Sequence, residues 1–226
     1  MPTFLYTSLA LFAVWAMLLL LSRPTRREQL VMSLVGLVIA PAALFLAAAE
    51  GTSAVQGPIG VEDLIFAVSF FGVAAVAYEA LMGVHLHAVR PARKEPKHPL
   101  LAWAGRLLLA LSFWAAVSVA NLFVFELSVP RAAAAGALLV AVYVVAERKD
   151  LLLNALISGL FMSALVFLCQ QLFFVQLFPG EAAVRALSAP YIVGGVSTDV
   201  LLWSAMAGFA IGPLYEYVRR LKERIA

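Results

Sequence analysis

Apolar runs of about 20 residues, separated by charge and proline, recur along the whole of this chain and read as membrane spans. They fall at roughly 3–22, 29–49, 61–87, 99–124, 131–147, 150–178 and 197–218. The punctuation lies between them, at Arg23-Pro24, 51–60, 91–99, Val129-Pro130 and 179–195. Seven transmembrane helices are therefore expected, in an all-α polytopic membrane protein forming a single domain over 1–226. The first run is expected to span rather than to be a cleaved leader, because Arg23, Arg26 and Arg27 follow it instead of preceding it.

The basic residues then set a direction. The loops after runs one, three and five and the tail after run seven hold 13 of the 16 Lys and Arg. Arg131 and Arg185 lie on the opposite side, and Arg106 lies within run four. The positive-inside rule places the N-terminus outside and the C-terminus in the cytoplasm. A prokaryotic plasma membrane is the expected location.

One motif occurs twice. Residues 62–79 open with Glu62-Asp63-Leu64-Ile65-Phe66 and close with Tyr78-Glu79. Residues 199–216 open with Asp199-Val200-Leu201-Leu202-Trp203 and close with Tyr215-Glu216. The charged turn Arg27-Glu28-Gln29-Leu30-Val31-Met32-Ser33 also looks like Arg148-Lys149-Asp150-Leu151-Leu152-Leu153-Asn154. Repeat A (1–90, helices 1–3) thus corresponds to repeat B (131–226, helices 5–7), with helix 4 (99–124) as an unmatched linker. One connecting helix gives both triplets the same direction, so the repeats are parallel, a 3+1+3 layout.

Composition agrees with this picture and narrows the function. The 226 residues are 64% hydrophobic and 13% charged, with mean hydropathy +0.97, which leaves no room for a separate soluble domain. The net charge of +3 is explained by the basic loops, which favour anionic membrane lipids, and implies no nucleic-acid partner. The single cysteine, Cys169, excludes an internal disulfide and a cysteine-rich metal site. His85 and His87, at i and i+2, would point to different faces of a helix, so no metal is expected there. No phosphate loop, dinucleotide-binding turn, Ser/His/Asp set or Asp-rich diphosphate motif is present. The lysines (Lys94, Lys97, Lys149 and Lys222) lie away from mid-membrane, so there is no retinal Schiff base.

Carboxylates are costly in hydrocarbon, so intramembrane acids mark a candidate site. The acid and its Tyr-Glu pair lie roughly 25 Å apart along each helix, which defines two layers. The outer layer holds Glu62, Asp63, Ser197, Thr198 and Asp199, with Asn121, Gln170 and Gln171 reaching a similar depth to hydrogen-bond. The inner layer holds Tyr78, Glu79, Tyr215 and Glu216, with Arg106 about two turns into helix 4. Blander roles stay open for each. Asp199 with Ser197 and Thr198 can be a helix cap, Glu79 and Glu216 can be ion-pair partners of Arg106, and Tyr78 and Tyr215 can be interfacial belt residues.

The order Gly60-Val61-Glu62-Asp63-Leu64-Ile65-Phe66 resembles the signature of the lycopene cyclase domain, as does Gly195-Val196-Ser197-Thr198-Asp199-Val200-Leu201-Leu202-Trp203. In that small transmembrane family the motif is Pro-x-Glu followed by Glu or Asp. Gly60 and Ser197 stand here where the proline is usual, Asp199 replaces Glu, and Val200 replaces the second acid. The resemblance covers the whole chain and implies seven helices in two similar halves. It also implies ring closure at the end of a linear polyene, by proton transfer without net redox. On that reading Glu62 is the catalytic acid/base, with Asp63 and Asp199 sharing or tuning the proton. Phe66, Trp203, Tyr78 and Tyr215 would stabilise the carbocation. No cofactor is needed, the substrate is a membrane-dissolved isoprenoid, and carotenoid-biosynthesis enzymes are the expected neighbours. Two alternatives come from other classes: a small 3+1+3 transporter, and a non-catalytic lipid- or isoprenoid-binding membrane protein.

Overall fold

A computed structural model describes residues 2–49, 60–83, 85–88, 99–177, 192–219 and 221–224. Among the described residues, eight α-helices are α1 (Pro2–Leu21), α2 (Arg26–Ala49), α3 (Val61–Met82), α4 (Pro99–Val124), α5 (Val129–Glu147), α6 (Leu152–Gln170), α7 (Thr198–Ile211) and α8 (Leu214–Arg219). A single turn at Lys149–Leu151 leads into α6, and a widened turn at Gln171–Gln176 extends it. Two short antiparallel ribbons complete the description. Strand β1 (His85–Ala88) pairs with β4 (Leu221–Arg224), and β2 (Ile192–Val193) pairs with β3 (Val196–Ser197).

The molecule is almost wholly helical. Among the described residues, five segments are long and apolar enough to cross a membrane: Phe4–Leu21, Val61–Met82, Leu101–Val124, Val129–Glu147 and Lys149–Phe173. Large apolar side chains stand outward along them, with Leu20 72%, Leu101 75% and Leu160 74% exposed. Such a surface would aggregate in water and is suited to lipid. This is a multi-pass, all-α membrane protein.

Two of the expected runs end differently. The run 61–87 stops as a helix at Met82, because Gly83 turns into the left-handed region (φ 64°) and donates its N–H to the Glu79 carbonyl oxygen. Glycine takes that conformation without Cβ strain. Residues 85–88 are strand, so the helical spacing that separated His85 from His87 does not apply there. The run 197–218 breaks into α7 and α8 at Gly212-Pro213. Proline has no N–H to donate and its ring clashes with the carbonyl four residues back. His98 lies outside the described residues.

Helix–helix association in lipid depends on close packing rather than on apolar burial. Small residues supply it here. Helix α3 packs against α1, α2 and α6, and α7 packs against α5 and α6. The α3 segment from Ser69 to Glu79 is buried throughout. Gly36 of α2 lies against α3 so closely that an added Cβ would come 2.7 Å from the Ala67 carbonyl oxygen and 2.8 Å from Phe71 Cβ. Gly159 of α6 meets α7 in the same way, 2.7 Å from the Ala205 carbonyl oxygen and 3.2 Å from Phe209 Cβ. Two helix crossings therefore use the same three residue types. Helix α4 lies on α5 and reaches α8.

Candidate functional site

The outer acids sit at the starts of α3 and α7, where free backbone N–H groups and the helix dipole favour negative charge. Asp63 is buried, and its Oδ2 accepts the Gly60 N–H at 2.9 Å. Asp199 Oδ1 accepts from Arg131 Nε at 2.9 Å, in a pair that keeps 37% exposure at the arginine and 20% at the aspartate. Glu62 is half-buried, with its carboxyl folded over Gly60, where an added Cβ would come within 2.5 Å of it. Asn121 donates Nδ2 to the Val117 carbonyl of its own helix at 2.8 Å. Gln170 ends α6 and Gln171 opens the widened turn, with Gln171 Oε1 beside Gly194.

One turn below Glu62 the two motif copies meet. Phe66 and Trp203 stack with ring centroids 6.1 Å apart. Phe70 lies 5.6 Å from Phe66 and 4.8 Å from Trp203, and Phe4 closes on Phe66 at 5.6 Å. Aromatic faces carry negative quadrupole density, so such a cluster can stabilise a cation laid against it.

The inner layer converges more tightly. One carboxylate oxygen each from Glu28, Glu79 and Glu216 lies within 4.8 Å of the others, and all three residues are buried. Asn154 Nδ2 donates to Glu216 Oε1 at 2.5 Å, and Ser158 Oγ donates to Asn154 Oδ1 at 3.1 Å. Gln29, also buried, donates Nε2 to the Trp15 carbonyl oxygen at 2.7 Å. At that separation two ionised carboxylates repel by roughly 3–4 kcal/mol at an effective dielectric of about 20. Three of them persist together only by sharing protons or taking up cationic charge. Such a cluster can store and transfer protons.

Tyr78 and Tyr215 are both 5% exposed, so they pack inside the bundle instead of facing lipid as belt residues. Arg219 lies over the Tyr215 ring at 5.3 Å and over Trp103 at 5.6 Å. Arg106 Nη1 donates to the Val218 carbonyl oxygen at 2.8 Å, and Arg148 Nη1 to that of Glu216 at 3.1 Å. Both carbonyls belong to the last turn of α8, whose acceptors have no partner within the helix. The two arginines thus pin the short helix that carries Glu216.

The helix break lies beside that carboxylate. Phe66 precedes Tyr78 by twelve positions, and its counterpart Trp203 precedes Tyr215 by the same twelve. The two copies therefore keep one helical phase from the aromatic to the glutamate. Gly212-Pro213 interrupts the second copy, where the Gly212 N–H still reaches the Gly208 carbonyl oxygen at 2.9 Å. It also brings the chain against α6, where an added Cβ at Gly212 would lie 2.6 Å from Ser158 Oγ and 2.9 Å from Asn154 Oδ1.

Sequence reasoning overlooked Glu28 and Asn154 as site residues. Both stand in the paired charged turns at 27–33 and 148–154, and that pairing was the available signal. Comparison with known proteins finds no matching family model, no matching curated protein and no matching solved structure.

Proposed function

We propose that this chain is a 3+1+3 protein of the prokaryotic plasma membrane, with its N-terminus outside, in which two parallel repeats form an acid/base site for a membrane-dissolved isoprenoid. The reaction is ring closure of the lycopene-cyclase type. Glu62 delivers a proton to a terminal double bond, the aromatic cluster stabilises the resulting carbocation, and a carboxylate removes a proton after ring closure. Carotenoid-biosynthesis enzymes are the fitting neighbours. The observation that carries this reading is the Phe66–Trp203 stack, which joins the two motif copies one turn from Glu62. On this reading Asp63 and Asp199 hold the helix starts in place, through Gly60 and Arg131.

The test is expression in lycopene-accumulating cells, with products separated by chromatography. Ring-bearing products are expected from wild type and from Glu79→Gln, and none from Glu62→Gln. Unchanged lycopene in the wild-type cells would end the proposal.

A second reading has its own support in the inner layer. Three buried carboxylates beside a discontinuous helix suit a proton- or cation-coupled carrier. In proteoliposomes that carrier would dissipate an imposed pH gradient, and Glu216→Gln would abolish the flux while Glu62→Gln would leave it intact. Cyclised products lost only on Glu62 substitution favour the enzyme; a flux lost only on Glu216 substitution favours the carrier.

A further inference from the structure

We infer that the groove between α4 and α5 seats one phospholipid whose zwitterionic head carries a primary ammonium. The groove has two arms. The apolar arm, about 420 Å³, is walled by Leu109, Ala110, Phe113, Val140 and Tyr143. The polar arm, about 230 Å³, shares Leu109, Ala110 and Tyr143 and adds Arg106, Glu147, Arg148 and Tyr217. Glu147 is the last residue of α5, so the polar arm lies where a membrane-length helix ends, at headgroup depth. An occupant must therefore be apolar at one end and polar at the other.

The charges decide the head. Two arginines and two carboxylates gather at the polar end, and they sum to zero. Arg148 is spent within the protein, paired with Asp150 and donating Nη1 to the Glu216 carbonyl oxygen at 3.1 Å. Arg106 and Glu147 remain. They line the same arm with opposite signs, yet neither forms an ion pair among the described residues. Arg106 is fixed through Nη1 on the Val218 carbonyl oxygen at 2.8 Å, and its Nε and Nη2 make no hydrogen bond among the described residues. Glu147 is fixed through Oε2, which accepts from the Tyr217 hydroxyl, and its Oε1 makes no hydrogen bond among the described residues. The arm thus offers one guanidinium and one carboxylate, both held and both with capacity to spare. A phosphodiester fits the first through charge-assisted hydrogen bonds. A primary ammonium, with three N–H donors, fits the second. The rings of Tyr143 and Tyr217, edge to face at 6.2 Å, add aromatic surface for the same cation. An anionic head would satisfy Arg106 but lay its charge near Glu147 with no cation to offset it. A quaternary ammonium has no N–H for Glu147. A soluble dipolar ion would leave the apolar arm unfilled, and a hydrocarbon would desolvate both charges without replacing their hydrogen bonds. The seat is independent of the proposed cyclase chemistry.

The test is lipid retention. Full-length protein is reconstituted in nanodiscs of equal phosphatidylethanolamine, phosphatidylglycerol and phosphatidylcholine, extracted in mild detergent, and its bound lipid counted by native mass spectrometry. Phosphatidylethanolamine is expected to be retained over both others. E147Q alters an exposed side chain without changing its shape, and is expected to lose about threefold in that preference, the size of one partly exposed charge pair. R106Q is expected to lose about fivefold in retained phospholipid, the contribution of one basic residue at the membrane surface. Excess free phosphoethanolamine is expected to leave the lipid in place. Wild type that retains the three lipids equally, or prefers phosphatidylglycerol or phosphatidylcholine, would overturn the site. So would wild-type preference in E147Q, undiminished lipid in R106Q, or displacement by free phosphoethanolamine. If R106Q does not fold, the wild-type lipid ratios and E147Q still decide.

Discussion

Asn154 holds Glu216 through a 2.5 Å hydrogen bond in a region where both residues are wholly buried. The bond ties α6 to α8 across the helix break. Asn154→Leu removes this donor from Glu216 and keeps the side-chain volume similar. A hydrogen bond to a charged group contributes about 1.5–3 kcal/mol, and an equal loss of unfolding free energy is expected. Thermal denaturation of the detergent-solubilised protein reads it. An unchanged melting temperature would mean that Glu216 does not depend on Asn154.

The glycine crossings predict a matched pair of defects. Gly36→Ala and Gly159→Ala each drive a Cβ against a backbone carbonyl oxygen, which no rotamer change can relieve. Forced overpacking of this kind costs about 1–3 kcal/mol. Gly105→Ala is the control, since nothing lies within 4 Å of the added carbon on α4. It is expected to be neutral or stabilising by up to about 1 kcal/mol, from helix propensity. Similar losses at Gly36 and Gly159, with no loss at Gly105, are the expected pattern in one melting series.

Asp199 offers a clean separation of folding from function. Its pair with Arg131 is partly exposed, so solvent screening limits it to about 0.2–1 kcal/mol. Asp199→Asn and Arg131→Gln should each shift stability by less than that bound, and the double variant should be no worse than either alone. The shift should shrink further in high salt. A loss of cyclised product in Asp199→Asn beyond this small stability change would then report on chemistry.

Much of the helical layout was legible because hydrocarbon demands it. Each expected run contains a helix, since an apolar segment in lipid must satisfy its own backbone. The ends were less legible. Met82 and Ile211 stop helices for reasons held in the single residues Gly83 and Pro213, which apolar runs pass over. The inner site was half visible. Glu79 and Glu216 stood out by repetition, whereas Glu28 looked like part of a basic turn between Arg27 and Gln29. Only the packing of α2 on α3 turns it inward. The aromatic partners Phe66 and Trp203 were visible in the repeat itself, but Phe70 and Phe4 were not, because nothing in an unbroken apolar run marks which ring faces which.

The broken helix gives the sharpest prediction, because its two residues should respond in opposite directions. Proline in a helix interior costs about 3 kcal/mol relative to alanine, and the Gly212 and Tyr217 N–H groups already make helical bonds on either side of the break. Pro213→Ala is therefore expected to raise the melting temperature. Gly212 is the contrary case. An added Cβ there would lie 2.5 Å from Ser158 Cβ and 2.9 Å from Asn154 Oδ1, against the side chains that hold Glu216. Gly212→Ala is expected to lower stability by about 1–3 kcal/mol, the usual cost of forced overpacking. A Gly212→Ala protein that melts with wild type would show that the chain is not pressed against α6 at the break.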